Sequence, residues 1–215
     1  MPAEEDRTGV RHPVFARLYP RISHLVDEAG ISERRGRLLA GLTGSVVEVG
    51  AGHGPNFGLY PPEVSRVVAV EPEATLRERA REAAAGAALA VEVLPGLAER
   101  LPVADRGADA VIFCWVLCSV RDVGAALAEA RRVLRPHGEL RFLEHVRAPT
   151  TGMARFQDVL DATVWPRLLG GCHTGRDTEA AIRRAGFTVS RLERFVFPRV
   201  RTPMSFHIIG VAAPQ

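Results

Sequence analysis

From residue 44 onward, short apolar runs alternate with longer stretches in which apolar residues recur three and four apart. The runs at 45–50, 66–71, 90–94, 108–115 and 138–146 have the length of buried strands. Residues 73–84 and 123–134 carry the helical period between them. This alternation predicts parallel strands joined by helical crossovers. Arg135-Pro136-His137-Gly138 reads as a helix stop followed by a turn. After Val146 the pattern changes. Residues 153–169 place Phe156, Leu160, Val164 and Leu168 at four-residue steps, with Pro166 set to kink or end that helix. A further helix at 178–185 stops at Gly186, and strands at 187–195 and 204–211 flank the turn-rich 197–203. Ahead of the first strand, 11–40 predicts one or two helices, with Phe15, Leu18, Ile22 and Leu25 on one face placed to cover a ligand.

At 215 residues and 47% hydrophobic, the chain can bury the core of one α/β domain. No window approaches the roughly 20 apolar residues that span a bilayer. The first seven residues are acidic and lack an apolar signal core, so the expected location is the cytoplasm. Cys114, Cys118 and Cys172 are too few and wrongly spaced for a disulfide framework or a zinc knuckle. The formal charge of +3 raises nucleic acid as a partner. All 28 basic residues are Arg, however, dispersed and set beside acids, and no basic run interleaves with aromatics. Nucleic acid is not an expected partner.

One segment carries chemistry by its spacing. Val46-Val47-Glu48-Val49 runs into Gly50, Gly52 and Gly54, and the next apolar run ends on Glu71. Glycines let a backbone turn tightly and approach a ligand with no Cβ in the way. An acid at the tip of the second strand can accept both hydroxyls of a ribose. A dinucleotide loop would carry its third glycine one position later, where Pro55 stands, and would seat a pyrophosphate there. The spacing found suits a nucleoside without phosphate, and S-adenosylmethionine is the leading candidate. A nicotinamide oxidoreductase is the rival from another class.

The glycine loop, Glu71, the turn at Arg135-Pro136-x-Gly138 and the closing strand pair together resemble class I S-adenosylmethionine-dependent methyltransferases. Val116-Leu117-Cys118-Ser119-Val120, Phe142-x-Glu144-His145-Val146, Phe156-Gln157-x-x-Leu160-Asp161 with Trp165, Gly171-Cys172 and His207-Ile208-x-Gly210-x-Ala212 are similar to the methyltransferase-like 7 group, the alkyl-thiol S-methyltransferases. The likeness covers residues 44–213. It implies an α/β fold: a Rossmann-like three-layer sandwich with a mostly parallel seven-stranded sheet and an antiparallel C-terminal strand. The expected organisation is a single methyltransferase domain over 1–215. A helical lid would occupy 1–43, the cofactor-binding core 44–146, and acceptor-pocket helices with the strand pair 147–215. Animal members of the group carry an N-terminal membrane anchor, and no such anchor is expected here.

The resemblance implies cofactor binding by Glu48, Gly50, Ala51, Gly52, Gly54, Asn56, Glu71 and Pro72, with S-adenosylhomocysteine as product and no metal. Related enzymes hold the adenine amino group with an acid after the third strand. Here Leu97 stands there, so Leu97 and Ala98 are expected to pack on the ring while backbone groups read its edge. The backbone of Cys114 and Trp115 is expected to meet the methionine part. The expected partner is a small-molecule acceptor, first a thiol, otherwise a hydroxyl, amine or activated carbon. Its pocket would be lined by His12, Phe15, Tyr19, Cys118, Phe156, Trp165, Cys172 and His173. His145 is the candidate base, an ordinary strand-end histidine being the alternative. Asp161, with Asp158 three residues before it and Trp165 four after, can orient the acceptor or serve as a solvated carboxylate. Cys114 and Cys118 read more readily as packing residues than as nucleophiles. The adjacent Cys172-His173 pair cannot hold a metal without partners.

Overall fold

The computed structural model describes residues 8–10, 12–163, 165–198 and 200–215. The chain enters through α1 (Pro13–Val26), a wide turn at Asp27–Ile31 and α2 (Ser32–Leu39). Then come β1 (Gly44–Val49), β2 (Val64–Val70), α3 (Ala74–Ala85), β3 (Ala90–Leu94), β4 (Ala108–Cys114), α4 (Val123–Val133) and β5 (Leu134–His145). The last part holds α5 (Thr151–Asp161), α6 (Trp165–Leu168), α7 (Thr178–Arg184), β6 (Phe187–Val196) and β7 (Phe206–Pro214).

The seven strands form one sheet in the order β3-β2-β1-β4-β5-β7-β6. Pairs among β1 to β5 are parallel, and β7 runs antiparallel to both β5 and β6. Residues of β1 and β4 alternate between two cores because strand side chains point to opposite faces. Val47, Val49, Val111 and Phe113 join α4 and α7 residues Leu127, Val133 and Ile182 on one face. Val46, Ala110 and Ile112 join Leu38, Leu39 and Ala80 of α2 and α3 on the other. The order reverses between β1 and β4. In such sheets, the loops leaving the carboxyl ends of those two strands frame a crevice.

Three expectations change. Arg135-Pro136-His137-Gly138 is not a turn ahead of β5 but a bulge within it: Ala108 pairs with Leu134, and Ala110 already pairs with Glu139. The helix expected over 153–169 is two helices, and the break precedes Trp165 rather than following Pro166. Val164 lies outside the described residues. On α1, Leu18, Ile22 and Leu25 are 48, 46 and 64% exposed, while Ala16 and Ser23 are buried. Of the expected covering stripe, Phe15 alone turns inward, stacking on Tyr19 with ring centroids 4.9 Å apart. No described helix is long and apolar enough to cross a membrane.

Candidate active site

The loop after β1 is fastened to β2, since Gly50 N and Ala51 N both donate to Val70 O, at 2.7 and 3.2 Å. Gly50 has φ 65°, and a Cβ there would stand 2.6 Å from Val116 Cγ2 in the loop after β4. At Gly52, φ is 59° and Tyr19 of α1 lies over the backbone. Gly50 and Gly52 are therefore required by conformation and by close approach together. Glu71 is buried at the tip of β2, accepting from Gly52 N at 2.8 Å and Glu73 N at 2.9 Å. Burial pushes its carboxyl up to about 7, against those two amides.

Glu48 stands differently from expectation. Its carboxylate is buried, accepting from Asn56 Nδ2 at 2.8 Å and Tyr60 Oη at 2.7 Å. Glu48 is thereby tied to two side chains of the loop that follows it, and these three residues brace that loop from within. Pro72 offers its carbonyl to Thr8 and Arg77. Leu97 is half-buried and closes a short turn with Arg100, while Ala98 packs into the core.

Arg35 is a residue the sequence did not single out. It is 2% exposed on α2 and reaches Asp27, Asn56 Oδ1 and Cys114 Sγ, at 3.0, 3.1 and 3.1 Å. Its second terminal nitrogen is buried and completes no full hydrogen bond among the described residues, although the Tyr19 hydroxyl lies beside the guanidinium. A guanidinium with one desolvated, incompletely bonded donor beside the glycine loop is ready for an anion. Its only signal in the sequence is a place among three arginines of one short helix. Cys114 is buried, which raises its thiol to about 11. Trp115 adopts φ 58° and donates its backbone N–H to Leu143 O at 2.7 Å. Its ring lies between the Arg35 guanidinium, 5.0 Å from the ring centroid, and the stacked His145 at 5.3 Å.

On the other side of the crevice, Phe15 packs against Gly170, and Tyr19 meets His53 edge to face. Cys118, His145 and Cys172 come together with their ligand atoms within 4.8 Å of one another. His145 is packed between Trp115 and His207, and burial followed by the neighbouring His207 holds its pKa well below the usual value. Such an imidazole is neutral and a weaker base than expected. Glu144, also missed, is fully buried and accepts from the amides of Val116, Leu117 and Cys118, at 2.9, 2.9 and 3.2 Å. It fixes the course of the loop after β4, and burial raises its carboxyl to about 7.

Two acceptor-side expectations are corrected. Asp161 is half-buried and engaged by the chain itself: its oxygens accept from Thr174 N at 2.7 Å, Thr174 Oγ1 at 3.1 Å and Gly175 N at 2.9 Å. It clamps the loop 170–176. Phe156 is 51% exposed on α5, because that helix turns Ala154 and Gln157 inward. Trp165 is half-buried, its indole N–H without a hydrogen-bond partner among the described residues, and His12 is half-buried just before α1. The ring of His173 meets Gly171 O at 2.8 Å and Arg176 at 3.3 Å, turning away from Cys172.

The comparisons agree with this architecture. A family model described as a methyltransferase domain matches residues 47–142. Thiol S-methyltransferase TMT1A of Homo sapiens is 36% identical over 172 residues, 78% of this chain and 70% of that protein. Thiol S-methyltransferase TMT1B of Homo sapiens is 36% identical over 184 residues, covering 81% and 74%. Among solved structures, an S-adenosylmethionine-dependent methyltransferase of Thermotoga maritima superposes with a TM-score of 0.69 at 21% identity, over 94% of this chain and 99% of that one.

Proposed function

The chain belongs to the family of S-adenosylmethionine-dependent methyltransferases that includes the thiol S-methyltransferases, and from that premise we propose that it methylates the sulfur of a small thiol. The observation that carries the acceptor is the 36% identity over 78–81% of the chain to relatives named for thiol methylation.

In this reading, the backbone of Gly50, Ala51, Gly52 and Gly54 lies along the methionyl and ribosyl parts of S-adenosylmethionine. Glu71 accepts from the ribose hydroxyls, supported by its burial at the strand tip beside Gly52. Leu97 packs on the adenine. Arg35 takes the methionyl carboxylate through its second terminal nitrogen, and Glu48, Asn56 and Tyr60 keep the glycine loop rigid. Backbone at Cys114 and Trp115 borders the sulfonium. The acceptor enters between Phe15, Tyr19 and the loop 170–176, beside Cys118 and His145.

Methyl transfer is an in-line displacement at the sulfonium methyl, so the chain's own residues supply alignment and a dry surrounding. Holding sulfur and methyl at roughly 3 Å in line contributes several kcal/mol by making the encounter intramolecular. Thiolate and sulfonium neutralise one another as they react, and a low dielectric strengthens that attraction. A thiol with a pKa of about 8.5 is already a few per cent thiolate at neutral pH, so no strong base is needed. This fits a site whose histidine is held neutral.

The test is a screen with S-adenosylmethionine carrying a labelled methyl, across alkyl thiols, phenols, amines and quinones. Label recovered in thioethers at a rate well above that for the other acceptors is the expected result. Label confined to oxygen, nitrogen or carbon would replace the thiol while keeping the family. Calorimetry that finds NAD bound and S-adenosylmethionine ignored would overturn the cofactor assignment.

A further inference from the structure

Three segments far apart in the chain each deliver one soft donor to the same point. Cys118 follows β4, His145 ends β5, and Cys172 sits in the loop after α6. Cys172 Sγ is 3.9 Å from His145 Nδ1, and all three ligand atoms lie within 4.8 Å of one another. Two sulfurs bound tetrahedrally to one zinc ion at about 2.3 Å stand about 3.8 Å apart. A sulfur and a ring nitrogen on the same ion stand about 3.6 Å apart, so the contraction required is at most about 1.2 Å, within the range of small rotations of the two cysteines and the ring. We propose that Cys118 Sγ, Cys172 Sγ and His145 Nδ1 bind one zinc ion. Among the described residues, no fourth Cys, His, Asp or Glu joins the group. The fourth coordination position is thus left to a ligand from outside the chain, the arrangement of a reactive rather than a purely structural zinc.

The scaffold around the three donors is built on both sides. His173 N donates to Cys118 O at 2.8 Å, and Arg176 donates to Leu117 O at 2.6 Å. Gly171 approaches the carbonyl of Ser119 so closely that a Cβ would stand 2.7 Å from it. Asp161 holds the far end of the loop through Thr174 and Gly175, and Glu144 holds the amides around Cys118. Outer partners of this kind fix donors in place for a metal. Without an ion the two thiols meet each other, while Cys172 meets His145 at 3.9 Å and Cys118 meets Ser119 at 3.5 Å, weak contacts for weak donors. The adjacent Cys172-His173 pair misleads in the sequence, because the partner histidine is His145, 27 residues away.

The role of the ion rests on the thiol reading given above. An acceptor R–SH takes the fourth position and releases its proton to solvent. The zinc-bound sulfur then attacks the sulfonium methyl. The methyl–sulfonium bond breaks with its electron pair left on S-adenosylhomocysteine, a new S–CH3 bond forms, and the neutral thioether leaves.

The experiment is zinc stoichiometry by elemental analysis on purified protein, followed by competition against a chromogenic chelator and by cobalt(II) spectroscopy. The parent protein should hold close to one zinc per chain and give the intense visible bands of tetrahedral cobalt with thiolate ligands. Cys118→Ser and Cys172→Ser should each weaken zinc by at least about 100-fold, and His173→Ala should leave it unchanged. Unchanged S-adenosylmethionine affinity will show that each variant is folded. Equal zinc affinity in parent and both cysteine variants overturns the site. Zinc bound with no thiol methylated removes the thiol acceptor and leaves the site standing. Undiminished thiol methylation after the ion is stripped overturns its part in the attack.

Discussion

Two loops border the crevice, and they differ in how far along the chain their hydrogen bonds reach. The loop after β1 is anchored locally. Glu48 is reached by Asn56 and Tyr60, 8 and 12 residues on, and Glu71 meets Gly52 across 19. The loop 170–176 is clamped nearby by Asp161, 13 and 14 residues before Thr174 and Gly175, and is tied as well to distant chain: Arg176 reaches Leu117 across 59 residues, and His173 reaches Cys118. Both use glycines in the left-handed region, Gly50 and Gly52 on one side, Gly170 and Gly171 on the other. The contrast suggests that the first loop is a cradle fixed by its own strand ends, and the second a wall positioned by the rest of the fold. Substitutions should then separate cofactor affinity from acceptor handling.

The largest expected effect is at Gly50. Gly50→Ala forces a Cβ into Val116 at a φ of 65°, combining left-handed strain with overpacking. A few kcal/mol follow, and S-adenosylmethionine affinity measured by calorimetry should fall 100-fold or more. Retained affinity would break the view of the first loop as a rigid cradle.

Asp161→Ala should act on the other side alone. Removing the carboxylate strips two backbone amides and a hydroxyl of their acceptor, at a cost of about 1–3 kcal/mol. The expected kinetics are an acceptor kcat/KM lowered roughly 10- to 100-fold, with cofactor affinity within about twofold of the parent. A matching loss of cofactor affinity would mean that the two loops are not independent.

The pattern of apolar runs was enough to place every strand, because strand length and burial are local properties. So were the glycine spacing and the acid at the tip of β2. Roles set by tertiary neighbours were not legible. Glu48 and Glu71 look equivalent as strand-end acids, yet one is capped by Tyr60 and Asn56 while the other faces the loop backbone. Arg35 is one arginine among its neighbours until Cys114 and Asn56 surround it. Leu18, Ile22 and Leu25 share a helical face with Phe15, but periodicity cannot say which face meets the sheet.

A smaller effect tests the cradle by pH. The Glu71 carboxyl is raised to about 7 and the ribose needs it as an acceptor, so affinity is full above that value and lost below it. Between pH 8 and 6, S-adenosylmethionine affinity should drop about tenfold more in the parent than in Glu71→Gln, which cannot titrate. Stability of the empty protein should respond with the opposite sign. The folded state binds that proton more tightly than the unfolded chain, so this contribution is present below the ordinary value of 4.5 and fades as pH rises through about 7. Identical pH profiles for parent and variant would mean that Glu71 does not titrate in this range, and equal affinity of parent and Glu71→Gln at pH 8 would remove Glu71 from the ribose.

The smallest expected effect sharpens where the wall ends. Phe156 belongs to the apolar spacing that suggested an acceptor pocket, yet half of it is in solvent while Gln157 beside it is fully buried. That Gln157 side chain joins Ala148 N, Thr174 O and Pro203 O, at 2.7, 2.9 and 2.8 Å, so α5 is oriented by a polar residue rather than by its apolar ones. If the pocket stops at the loop 170–176, Phe156→Ala should change stability by no more than about 0.5 kcal/mol. Thiol KM should then stay within twofold of the parent in steady-state assays. A KM that rises several-fold with unchanged cofactor affinity would extend the acceptor site over the outer face of α5, and the wall would then be a helix surface as well as a loop.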